Sequence, residues 1–218
     1  AITDSGNLAV TGTSTFTSAN AQSITLDNSN TFSVLAFVAS AGTLANVTIV
    51  DSDAVDLAAL TLTGNLTVTA GGNISDSGTL VVPGTTTLVA GTNTVILDDA
   101  ANNFGVVAIT SATSATLVDV GAIDLGATTI TGGLSVTAGG AISDSGTLAI
   151  SGMTTIVAGA NNVVLDVASN NFGTVAVTSA GTATFVDTNA IDIGATTVTT
   201  LNITAGGAIS DSGTIVAS

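Results

Sequence analysis

The sequence predicts an all-β chain wound as a right-handed, three-sided parallel β-helix (a β-solenoid) of about ten coils, three coils to each unit of ~68 residues. Three observations lead there. A six-residue string recurs four times, as AITDSG at 1–6, NISDSG at 73–78 and AISDSG at 141–146 and 208–213. The composition is dominated by Thr, Ala, Val, Gly, Ser and Asn, and β-branched residues of this kind favour strands over helices. Within the short runs, alternate residues are apolar, as in Leu134 and Val136, Val107 and Ile109, and Ile123 and Leu125. That period of two points one set of side chains inward.

The acids of the recurring string are Asp4, Asp76, Asp144 and Asp211, separated by 72, 68 and 67 residues. Other columns keep the same step. Asp51, Asp119 and Asp187 are 68 and 68 apart, as are Asp56, Asp124 and Asp192, and Phe32, Phe104 and Phe172 are 72 and 68 apart. The chain therefore reads as one solenoid over 1–218, with units 1–72, 73–140 and 141–207 and a partial fourth at 208–218.

Inside a unit, residues 134–200 divide into three coils. The first is LSVTAGG, AISDSG, TLAISGM; the second is TTIVAGANN, VVLDVASNNFG, TVAVTSAGT; the third is ATFVDTN, AIDIGA, TTVTT. Their lengths are 20, 29 and 18, with the extra residues of the second placed at the ASNNF corner. Each coil has three β-type runs parted by Gly, Asn, Asp or Ala, which permit tight bends between faces. Parallel crossovers are right-handed almost without exception. A rise of ~4.8 Å per coil makes a rod of roughly 45–50 Å. Pro83 closes the run TLVVPG, where a missing N–H is tolerated. The Phe column, Phe32, Phe104 and Phe172, is expected to close the core beneath the long corner.

Composition excludes several functions. The chain has fifteen Asp, no Glu, no Lys, Arg, His, Cys, Tyr or Trp, and a formal charge of −15. No internal salt bridge between side chains can form. Phosphate recognition needs Lys or Arg, so a nucleic-acid partner is excluded, and an anionic membrane surface is disfavoured. No apolar run is long enough for membrane insertion. Cations, neutral glycans and other proteins remain as partners.

The strings AISDSGTLAISG, LSVTAGG, NNFGTVAVTSAG and AIDLGATTITGG resemble the repeats of bacterial filamentous-haemagglutinin-type exoproteins. The resemblance covers essentially the whole chain. It implies a large right-handed parallel β-helix, used as an adhesin or surface fibre at the bacterial cell surface. The NPNG-type and NQNG-type motifs of that family's secretion domain do not occur here, and no functional site carries over by residue.

Candidate sites were weighed against structural roles. Paired carboxylates suited to glycoside chemistry are Asp98 with Asp99, and Asp51 with Asp53 and Asp56. No unlike group accompanies them to orient a substrate, so no enzyme is expected. No cofactor is expected either, with calcium as the one candidate. Asp98, Asp99, Asn102 and Asn103 offer it oxygen ligands, but Asp99 becomes Asn28 in the first unit and Val167 in the third. Asx-type turns with solvated charge explain the same residues. Ice binding is a further alternative, from threonines at 67–69, 85–87 and 196–200. Asp4, Asp76, Asp144 and Asp211 are read as turn residues, and replacing Asp144 by Asn is expected to leave the rod intact.

The last eleven residues, AISDSGTIVAS, match the first eleven, AITDSGNLAVT, in register. Two arrangements fit: a window of a longer repeat chain, or copies stacked head to tail. The expected function is a structural, extracellular, non-catalytic rod in a bacterial surface filament or large secreted adhesin. The alternative is a segment that itself binds a neutral glycan or a host protein.

Overall fold

The computed structural model describes all 218 residues. It contains 22 strands and no helix. Every strand pairing is parallel. The chain is a β-solenoid of about 11 turns. Each strand pairs with the one a turn later, so the strand backbone groups find their partners in the neighbouring turn rather than in a hairpin.

The register traces the turns residue by residue. Ile2 lies beside Ile24, then Val47, Leu66, Thr86, Val107 and Leu125, in steps of 18 to 23 residues. A second line runs from Ile74 through Val95 and Ala115 to Leu134. That line exposes how unit and turn are related. Ile74 reaches Leu134 in three steps, yet its equivalent in the next unit is Ile142, eight residues farther. In the same way Ile142 reaches Leu201 in three steps, and Ile209 lies eight beyond. A unit is therefore three turns and eight residues rather than three coils.

The excess comes from the stretch 154–182. It is not one long coil: Thr154 pairs with Val175, 21 residues on, and Val163 pairs with Ala183. The ASNNF corner thus opens a strand of the next turn instead of bulging from one face.

Alternation builds the core. Strand Leu134–Ala138 buries its first, third and fifth residues, and strands Leu66–Ala70 and Val47–Asp51 do the same. Fifty buried residues form one apolar column along the axis. Phe32, Phe104 and Phe172 all lie in it. The two-glycine corners follow from close approach between turns. A Cβ at Gly139 would sit 2.2 Å from the Val120 carbonyl oxygen, and one at Gly71 would sit 2.1 Å from that of Ser52. Pro83 lies in strand Leu80–Val89, exposed, between a stretch paired to 60–61 and one paired to 66–69.

Candidate functional site

The strongest polar constellation is a brace that ties three successive turns together, and it occurs three times. In the second unit it begins at Asp76, at the end of strand Ile74–Asp76. Its Oδ1 accepts the backbone N–H of Asp98 at 3.0 Å, and its Oδ2 accepts that of Asp99 at 3.4 Å and the side-chain amide of Asn102 at 2.6 Å. Asn102 is fully buried. Its Oδ1 reaches back to accept the Leu80 N–H at 2.7 Å, while its own carbonyl accepts the Val120 N–H of the following turn. Two residues on, the Phe104 N–H donates to Oδ2 of Asp119 at 2.6 Å, and Asp119 Oδ1 accepts the Gly121 N–H at 2.6 Å. Asp119 is only 2% exposed.

The third unit repeats this atom for atom with Asp144, Asn170, Phe172 and Asp187. The first repeats it with Asp4, Asn30, Phe32 and Asp51. At each brace the strand ends and the corner begins, so several N–H groups have no strand partner. Carboxylate and amide oxygens supply the acceptors, in place of water that cannot enter.

With no cation in any side chain, no opposite charge is at hand to offset burial. Burial raises Asp51, Asp76, Asp119 and Asp144 above the ordinary value of 3.8, against the lowering effect of their hydrogen bonds. Asp4 differs. Its slight burial also pushes upward, but hydrogen bonds from Asn30, Asn28 and Asp27 outweigh it and hold the carboxyl below 3.8.

A second column is outward-facing and less well satisfied. Asp56 Oδ1 and Asp124 Oδ1 are buried atoms without a hydrogen-bond partner. Their equivalent Asp192 accepts from the hydroxyls of Ser212 at 2.5 Å, Ser210 at 3.2 Å and Thr174 at 3.2 Å, and the Ser212 bond leads in lowering it. Ser14, Thr86 and Thr154, one per unit, turn hydroxyls without partners into the core.

The residues singled out for chemistry do not converge. Asp98 is exposed and enters the brace only through its backbone. Asp99 Oδ1 accepts the Ala101 N–H and the Thr79 hydroxyl. Asn102 is committed to Asp76 and Leu80, and Asn103 is exposed. Of the Asp51, Asp53 and Asp56 set, Asp51 is buried with both oxygens on backbone N–H groups, whereas Asp53 is exposed. No group of three acids is placed to hold a metal ion. Asp4, Asp76 and Asp144 do more than turn the chain: each accepts from the turn that follows. Asp211 is exposed and takes part in none of the three braces. Asn30 and Asn170 were not singled out by sequence. Their signal was available, as an Asn two residues before each Phe of the column.

A family model described as repeats of unknown function (DUF5649) matches residues 1–38, 44–111, 112–179 and 180–218. No curated protein and no solved structure matches the chain.

Proposed function

We propose, for a chain that belongs to the family of repeats of unknown function (DUF5649), a structural and non-catalytic role as an extracellular rod. In this reading it forms part of a bacterial surface filament or large secreted adhesin of the filamentous-haemagglutinin type. One observation carries the proposal. The acids and amides of the three braces are engaged with neighbouring turns rather than turned together toward a common point outside. Chemistry requires convergent unlike groups, whereas a scaffold requires the same internal bond at every repeat.

Electron microscopy of the native material tests this: long uniform fibres are expected, and isolated globular particles would overturn it. Deleting these repeats and substituting a length-matched solenoid separates spacer from ligand-binding segment. Restored adhesion is expected, and a failure to restore it would move the role to direct binding of a glycan or protein.

A further inference from the structure

The charge of this chain becomes informative once it is laid along an axis. The fifteen acids face no Lys, Arg or His. The fold winds them into about 11 turns, which at ~4.8 Å per turn make a rod of about 50 Å. One negative charge therefore falls every ~3.3 Å, close to the ~3.4 Å spacing along a single strand of DNA. In water two unit charges interact by about RT at ~7 Å. Projected on the axis, the charges are spaced at roughly half that distance, and more closely than the ~8 Å screening length of physiological salt. A globule of equal charge would spread it over a sphere; the solenoid forces it into a line.

The acids are also distributed along the whole length. Asp27, Asp53, Asp98, Asp166 and Asp211 are exposed and belong to five different turns. We infer that the rod is a linear polyanion that carries a condensed layer of counterions and takes as its partner a polycation, such as a Lys- or Arg-rich protein segment. Binding is driven by release of the small cations, as in nucleic acids. The attraction belongs to the line of charge as a whole. No single pocket is needed, and the partner need not match any one turn.

The probe is a peptide of eight lysines, with binding measured by calorimetry or fluorescence from 50 to 200 mM NaCl. The affinity is expected to fall with a log–log slope near −5, a loss of about 10³-fold over that range, as for eight ionic contacts on a single-stranded polyanion. Replacing the five exposed acids named above by Asn lowers the charge to −10, and the affinity at 50 mM is expected to drop about tenfold. A third protein keeps those Asn residues and moves the charges to other outward positions: T25D, T67D, T116D, T155D and T197D. It is expected to recover the native affinity within about threefold. Circular dichroism checks that each variant is folded; should either fail, the salt slope of the unaltered chain decides alone. A slope shallower than −2, or relocated charges that fail to restore binding in a folded protein, would overturn the inference.

Discussion

Asp4 and Asp144 share three hydrogen bonds, two from backbone N–H groups and one from a buried Asn, yet they titrate in opposite directions; Asp4 also has the Asn28 side chain beside it, where Asp144 has Val167. Asp144 has a turn on either side of it. Asp4 is much less buried, and its hydrogen bonds outweigh that burial. The hexapeptide and its partners about 26 residues later set the bonds. The neighbouring turn sets the dielectric around them. A repeat protein can thus keep the main bonds of a pattern and still give each copy a different energy, through its burial and through one changed neighbour such as Asn28 for Val167.

The largest effect should come from removing the central amide. Asn170→Ala leaves the buried Leu148 N–H without its acceptor and takes from the half-buried Asp144 carboxylate its one side-chain donor, at a cost of about 3 kcal/mol. Asn30→Ala, whose partners Leu8 and Asp4 are only half-buried, should cost less, about 1 kcal/mol. Guanidinium unfolding compares the two, and equal losses would break the contrast drawn above. Next comes Asp144→Asn. The rod should still form, but an amide offers one acceptor oxygen where the carboxylate uses two, so about 1–2 kcal/mol is lost. The same change at Asp211, which is exposed and outside the braces, should be neutral within ~0.5 kcal/mol. Thr154→Val goes the other way. It removes a buried hydroxyl without a partner and keeps the shape, and should raise stability by about 1 kcal/mol. Ser14→Ala in the more exposed first unit should gain less, as read from melting temperatures.

The subtlest sharpening is the pH profile. Asp51, Asp76, Asp119 and Asp144 bind protons more tightly folded than unfolded, so between 3.8 and their raised folded values stability falls as pH rises. Asp4 and Asp192 are lowered, so what they contribute is present above 3.8 and is lost as pH falls through their folded values. The two windows meet near 3.8, and stability should peak there. Thermal melts from pH 3 to 8 check this; a maximum at neutral pH would contradict the assignment of burial as the dominant influence in the interior braces.

The sequence made the solenoid, the unit length and the inward residues legible, because period-two alternation and exact repetition are both local patterns. The relation of unit to turn was not legible. Run lengths count corners, and only the register shows that Thr154 meets Val175 inside what reads as a single coil. The brace was half legible. Its acids and its phenylalanines stand out by spacing, but Asn102 was grouped with its sequence neighbours Asp98, Asp99 and Asn103. Its true partners, Asp76 and Leu80, are 26 and 22 residues away. A hydrogen bond between stacked turns leaves no trace in a short window of sequence.

The eight residues by which each unit exceeds three turns have a consequence for the outside of the rod. Seven register steps carry Ile74 through Leu134, Thr154, Val175 and Ile193 to Asp211, two positions past Ile209. Ile209 is Ile74's counterpart two units later. Like leaves set alternately on a stem, consecutive copies of a feature face different sides, and every second copy returns to nearly the same one. A long array of such units has a true axial period of two units, roughly 34 Å at ~4.8 Å per turn. A neighbouring rod or a flat surface would meet only every other copy, and averaged fibre images should carry that spacing as their first layer line, off the meridian.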